Sequence, residues 1–199
     1  MKFLIATNNE GKLKEIRHIL AQFGIEGVSL REAGVDSNPE ETGTTFADNA
    51  RIKAFDGMKA TGMPAVADDS GLMVDALHGA PGIYSARYAG ENASDSDRIE
   101  KLLDEMRNVP AGARTARFVC AVCCVFPDGN IINASGECDG AIAFEPQGHG
   151  GFGYDPIFIE KTTGKSFALL AGEEKDRLSH RGKALAAFAK YLDKKFGGR

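Results

Sequence analysis

Lys2-Phe3-Leu4-Ile5-Ala6-Thr7-Asn8-Asn9-Glu10-Gly11-Lys12, continued by Leu13, Ile16, Leu20 and Phe23, sets two hydrophobic periods back to back. Lys2 to Ala6 is a short apolar run with β-branched character, whereas the later apolar residues recur every three or four positions, as one face of a helix does. The polar residues between them read as a turn. A strand, a loop and a helix at the head of the chain place it among folds that pack helices on a sheet.

The same reading extends outward. A second helix is expected from about Thr45 to Lys59, with Thr45 as cap, Phe46, Ala50 and Ala54 on one face, and Gly57 and Gly62 marking its end. Pro64-Ala65-Val66-Ala67 then predicts a buried strand that runs into a turn at Asp68-Asp69-Ser70-Gly71. Ser94 caps a third helix, in which Ile99, Leu102, Leu103 and Met106 share a stripe and which Pro110 closes. Thr115 to Phe126 and Asn130 to Phe144 are strand-like runs joined at Pro127-Asp128-Gly129, a hairpin turn. The last helix carries Leu185, Phe188 and Leu192 and ends near Gly197-Gly198. The expectation is an α/β fold with a mixed central sheet flanked by helices. Its 199 residues are read as a single domain, large enough to bury about 70% of the extended chain's surface without metal or disulfide staples.

The composition narrows the partners. A net charge of −4 argues against a nucleic-acid coat, because such proteins need a basic face. No apolar stretch approaches the roughly 18 residues of a membrane span, and Met1 to Ala6 is too short for a signal-peptide core. Cys120, Cys123 and Cys124 lie in the apolar run Phe118 to Phe126, with Cys138 nearby, which suits buried thiols in a reducing compartment. A cytoplasmic location is expected. Gly148, Gly150 and Gly153 have dinucleotide-loop spacing, but Tyr154-Asp155-Pro156 does not open a helix. Gly164-Lys165-Ser166 lacks the first glycine of a phosphate-binding loop, since Ile159 stands in its place.

Four constellations carry chemistry. Thr7 to Lys12 brings backbone N–H groups and a helix N-terminus together with a mobile cation, Lys12, a combination that suits phosphate. Asp68 and Asp69 are adjacent carboxylates whose repulsion calls for a divalent cation or a shifted pKa, and Glu40-Glu41 offers another oxygen ligand. Phe152-Gly153-Tyr154-Asp155 sets aromatic rings beside glycines, where a planar base can stack and Asp155 can accept from ring N–H groups. Lys175 with Ser179-His180-Arg181 adds a cation and edge donors. Together they are the inventory for a nucleoside triphosphate.

At these residues the chain resembles the inosine triphosphate pyrophosphatases, also called dITP/XTP pyrophosphatases. The resemblance runs through Ala6 to Lys12, Glu40-Glu41-Thr42-Gly43-Thr44-Thr45-Phe46, Asn49-Ala50, Lys53-Ala54, Ala67 to Leu72, Gly79 to Tyr88, Gly151 to Pro156 and Ser179 to Arg181. It implies a homodimer of elongated, two-lobed subunits with the active-site cleft between the lobes. It also implies Mg²⁺-dependent hydrolysis of ITP, dITP and XTP to the monophosphate and pyrophosphate. By matching positions, Thr7, Asn8, Asn9, Glu10, Gly11 and Lys12 hold the phosphates. Glu40 and Asp69 ligate Mg²⁺, Asp69 is also the proton acceptor, and Lys53 is a further phosphate or catalytic cation. Ser70, Phe152, Gly153, Tyr154, Asp155, Lys175, His180 and Arg181 line the substrate. Rival readings are a pyrophosphatase for other altered nucleotides, a non-catalytic nucleotide sensor, and a structural protein that shares the fold.

Overall fold

A computed structural model describes residues 1–197. Six strands, β1 (Lys2–Ile5), β2 (Glu26–Ser29), β3 (Ala65–Val74), β4 (Thr115–Val125), β5 (Ile131–Ile142) and β6 (Phe158–Glu160), form one sheet in the order β2-β1-β3-β4-β5-β6. β1 pairs in parallel with both β2 and β3, and β5 pairs antiparallel with β6, so the sheet is mixed, as expected. The helices are α1 (Glu10–Ala21), α2 (Phe46–Thr61), α3 (Asp95–Glu105), α4 (Gly172–Leu178) and α5 (His180–Phe196). No helix among the described residues is long and apolar enough to cross a membrane.

The chain divides into two compact units, one formed by Met1–Asp69, Cys120–Gly136 and the residues from Lys183 on, the other by Ser70–Val119 and Glu137–Gly182. In the first unit the strands' period of two sorts their side chains. Phe3, Ile5, Val66, Cys120, Val122 and Cys124 join Leu13, Ile16 and Leu20 of α1 and Phe188 and Leu192 of α5 in one core. Leu4, Ala6 and Ala65, of the opposite parity, meet α2 so closely that a Cβ on Gly57 would lie 2.6 Å from Leu4 Cδ2. Gly57 is therefore a packing residue inside the helix, and the terminator is Gly62 alone, in the left-handed region at φ 67°. Both predicted caps form as full capping boxes, Thr45 with Asp48 and Ser94 with Asp97.

Three further differences have local causes. β3 does not stop at Ala67: it continues through Asp68, Asp69, Ser70 and Gly71 to Val74, so the acidic pair lies within a strand rather than on a turn. β2 carries a single large apolar residue and exists through its pairing with β1, which no hydrophobic period reveals. α3 ends at Glu105, short of Pro110. The final predicted glycine pair is split, Gly197 being described and Gly198 lying outside the described residues. All four cysteines are buried, and burial pushes the Cys123 thiol up to about 11, so it packs as a small hydrophobe.

The second unit has its own core, in which Leu72, Leu102, Met106, Ile157, Phe158 and Phe167 are fully buried. Inside it Arg114 is only 2% exposed and is solvated by main-chain carbonyls: Nε donates to Ile142, Nη1 to Met106 and Val109, and Nη2 to Ala143. Burial lowers the Arg114 pKa, and the guanidinium stacks on Phe144 at 4.3 Å. Truncation would leave four carbonyls short of donors. Arg114→Ala is expected to cost about 3 kcal/mol or more, with Arg114→Lys recovering only part because an ammonium cannot span the fork. Urea unfolding of the three proteins measures this.

Candidate active site

The first unit holds a charged cluster built by β3, α1 and α2. Adjacent strand residues point to opposite faces, so Asp68 follows Val66 toward α1 while Asp69 follows Ala65 and Ala67 toward α2. Asp68 meets Lys12 of α1, with Nζ 2.8 Å from Oδ2 and the carboxylate 1% exposed. Asp69 meets Lys53 of α2, whose Nζ lies 3.2 Å from Asp69 Oδ1 and 2.9 Å from Glu41 Oε1. The repulsion expected of the pair is thus relieved by separation onto two faces and by one lysine each. Lys12 is not the mobile cation that the sequence suggested.

Burial works against the Lys53 ammonium, but the charges of Asp69, Glu41 and Asp68 outweigh it and hold its pKa above the usual lysine value. Burial likewise pushes the Asp69 carboxyl above its ordinary range, and the negative charge of Glu41 adds to that against the pull of Lys53. Buried Asn49 braces the cluster, with Nδ2 3.4 Å from Asp69 Oδ2 while its Oδ1 accepts the Gly43 N–H at 2.9 Å. Gly43 has no room for a side chain, since a Cβ would lie 2.5 Å from that of Asp48.

The two acidic ligand candidates, Glu40 and Glu41, lie in different surroundings. Glu41 turns to Lys53, whereas Glu40 is exposed one residue away. Glu41, Asp68 and Asp69 set three carboxylates against the two ammonium groups of Lys12 and Lys53. Hard oxygen donors of this kind fit Mg²⁺, which is commonly held by one or two carboxylates together with substrate phosphates. Among the described residues, no group of three or more His, Cys, Asp or Glu side chains is arranged to hold a metal ion by itself.

Beside the cluster, Thr7 Oγ1 accepts the Asn9 N–H at 3.2 Å and Asn9 Oδ1 caps α1 by accepting the Lys12 N–H at 3.0 Å. Asn8, Asn9, Glu10 and Gly11 are exposed, so the first turn of α1 is open to a ligand.

The second unit holds the aromatic set and separates roles that the sequence could not. Phe152 is 56% exposed and is the ring available for stacking. Tyr154 is buried and donates its hydroxyl to the Ser85 carbonyl at 2.9 Å, so it anchors the loop instead. Asp155 Oδ2 accepts the Phe152 N–H at 2.9 Å and Lys175 Nζ at 2.5 Å, which commits that oxygen to holding the site together. A Cβ on Gly151 would fall 2.1 Å from the same oxygen. Lys175 and Arg181 flank the Phe152 ring at 5.2 and 5.7 Å. His180 and Arg181 open α5, and His180 stacks on Phe118 at 4.7 Å. Ser70 follows Asp69 on β3 and is partly exposed. Asn49 and Asp95 received no role from the sequence, whereas Glu41 and Asp68 entered only as members of acidic pairs whose facing could not be read.

The Ham1 family model matches residues 3–191. A dITP/XTP pyrophosphatase of Salmonella typhimurium is 51% identical over 186 residues, spanning 92% of this chain and 94% of that protein. A dITP/XTP pyrophosphatase of Photorhabdus laumondii is 50% identical over the same length and shares. Among solved structures, a HAM1 protein from Coxiella burnetii superposes with a TM-score of 0.92 at 40% identity, covering 98% of this chain and 99% of its own. A nucleoside-triphosphatase / dITP/XTP pyrophosphatase from Mycobacterium abscessus gives 0.82 at 45% identity, covering 94% and 98%.

Two outcomes follow from the geometry. Lys12→Met removes the ammonium paired with the buried Asp68 carboxylate and is expected to cost about 3 kcal/mol at neutral pH, most of which Lys12→Met with Asp68→Asn regains; a double-mutant cycle by chemical unfolding reads it. Burial raises the Asp95 pKa, but hydrogen bonds from the Gly153 N–H and Arg98, and the Arg98 charge, outweigh it and leave it lowered. A lowered folded value means that the carboxylate's contribution to stability is full above the unfolded pKa of about 4 and is lost as pH falls through the folded value. The stability gap between wild type and Asp95→Asn, followed by urea unfolding, should therefore close toward acid pH.

Proposed function

The chain belongs to the Ham1 family, and from that premise we propose that it is a Mg²⁺-dependent nucleoside triphosphate pyrophosphatase. Its substrates in this reading are dITP, ITP and XTP, its products the monophosphate and pyrophosphate, and its role the removal of altered purine nucleotides from the pool. We further read residues 1–199 as one catalytic domain that works as a cytoplasmic homodimer. The observation that carries the reaction is the Lys53 ammonium shared by Glu41 and Asp69 in a mostly buried cluster.

A purine nucleoside triphosphate is the small molecule that carries both chemistries the chain offers. Its phosphates suit the first turn of α1, Lys12 and Lys53; its base suits Phe152, His180 and Arg181. Mg²⁺, when bound, supplies positive charge to the phosphate oxygens, with Asp69 and Glu41 as its protein ligands. Water attacks the α-phosphorus, the bond from that phosphorus to the α,β-bridging oxygen breaks, pyrophosphate leaves and the water's proton passes on to solvent, while positioning together with charge neutralisation supplies most of the rate. Lys53 neutralises charge that grows on the phosphate oxygens. Asp69 accepts a hydrogen bond from the water and fixes its line of attack. A carboxylate beside a metal is a weak base, which makes orientation, rather than storage of the proton, its main contribution. Arg181 and His180 can donate to a purine 6-keto oxygen, whereas the amino group at the same position of adenine is itself a donor and does not accept from them.

The decisive experiment incubates the protein with dITP, ITP, XTP, GTP and ATP, with Mg²⁺ and with chelator, and measures pyrophosphate and orthophosphate separately. Pyrophosphate from the hypoxanthine and xanthine substrates, little from ATP or GTP and none with chelator is expected; orthophosphate would move the attack to the γ-phosphorus. Asp69→Asn and Glu41→Gln should each lower kcat by about 100-fold or more. Glu40→Gln should stay within about threefold, as an exposed substitution does.

A further inference from the structure

The Phe152 ring is mostly exposed, so packing does not hold it in place. Its orientation depends on the backbone of the Gly151-Phe152-Gly153 segment, where both glycines have positive φ, 77° and 60°. Such a segment is soft unless something outside it accepts its N–H groups. The Phe152 N–H goes to Asp155, within the loop. The Gly153 N–H goes to Asp95 Oδ2, 58 residues away on α3, at 2.6 Å.

Asp95 is not occupied in capping its own helix, because Ser94 and Asp97 already form a full capping box there. Its other oxygen is bound by Arg98, one turn along α3. Arg98 in turn donates through Nη1 to the Ala86 carbonyl at 2.5 Å, in the short helical segment Gly82–Arg87. That segment also supplies the Ser85 carbonyl that receives the Tyr154 hydroxyl. Two consecutive loop residues are therefore fastened to one hydrogen-bonded piece of structure, and Arg98 holds the Asp95 carboxylate independently of the loop.

We propose that Asp95, held by Arg98, is a positioning residue that sets the shape of the loop carrying Phe152 and thereby presents the ring to the substrate's base. This rests on reading that loop as the base platform and deepens it. A charged acceptor makes the stronger hydrogen bond, and a loop fixed in advance lowers the entropic cost of binding. Asp95 touches neither phosphates nor the reacting atoms, so its loss should affect recognition of the base and spare the chemical step.

The test compares wild type, Asp95→Ala, Asp95→Asn and Arg98→Met. Steady-state kinetics with dITP are set beside inhibition by inorganic tripolyphosphate, which has the phosphates and no base. Asp95→Ala should raise KM for dITP about tenfold, with kcat and the tripolyphosphate inhibition constant within about twofold, and Asp95→Asn, which keeps an acceptor oxygen, should recover part of the loss. Hydrogen exchange of the Gly153 amide should speed up at least about tenfold in Asp95→Ala and less in Arg98→Met. A parallel rise in KM and in the tripolyphosphate constant would reduce Asp95 to a structural residue and overturn the proposal, as would unchanged exchange at Gly153. Should Asp95→Ala fail to fold, Asp95→Asn and Arg98→Met carry the same comparison. Absence of dITP turnover in wild type would refute the functional reading instead, while the exchange measurement would still decide whether Asp95 fixes the loop.

Discussion

The alternation of side chains along β3 is the constraint from which the charged cluster follows. Two neighbouring aspartates on a buried strand cannot share one environment, and a period of two ensures that they do not. Asp68 points with Val66 to the face covered by α1, Asp69 with Ala65 and Ala67 to the face covered by α2, and each helix brings one lysine. The spacing of those lysines is then fixed by helix geometry. Lys12 sits on the first turn of α1, next to the exposed capping residues, and Lys53 lies two turns into α2, after the capping box of Thr45 and Asp48 has set where that helix begins. A one-residue slip of β3 would exchange the carboxylates between faces and undo both pairs.

Sequence reading went furthest where periodicity and capping chemistry act locally. Thr45, Ser94 and Gly62 mark helix ends through bonds that lie within three or four residues, and the runs around β1 and β4 are apolar enough to identify themselves. It failed where partners come from afar. β2 is defined by its register with β1, and the extension of β3 through Asp68 to Val74 overrides turn chemistry that Asp-Ser-Gly favours in isolation. Glu40 and Glu41 are indistinguishable as letters; only the direction of the chain before α2 decides which of them meets Lys53. The resemblance located the motifs, while the division of labour between Phe152 and Tyr154 needed coordinates.

Both units solve the problem of holding polar groups in a defined place, by different means. In the second unit the main chain is the object being held. Arg114 gathers four carbonyls around one guanidinium, and Asp155 and Asp95 take the amides of consecutive residues, Phe152 and Gly153. Glycine is required at position 151 for a steric reason as well as for its φ, because a side chain there would displace the Asp155 carboxylate that also binds Lys175. In the first unit it is side-chain charge that is held, by opposite charge.

That second arrangement is not a device for stability. Mostly buried ion pairs lose hydration about as fast as they gain Coulomb energy, and well-packed apolar residues of similar volume often serve a core as well or better. Asp68, Asp69, Lys12 and Lys53 stand next to a core whose neighbouring strand positions are Val, Ala and Cys, so an apolar alternative is chemically close at hand. Under the proposed function, what the charges provide is orientation before a ligand arrives: each lysine is already paired with a carboxylate, so a bound polyanion need not order them. Under the proposed function, the remaining imbalance, three carboxylates against two ammonium groups, would make the cluster repel a bare triphosphate and accept one accompanied by a divalent cation. Dependence on the cation is on this view a consequence of electrostatics in the first unit, separate from whatever selects the base in the second.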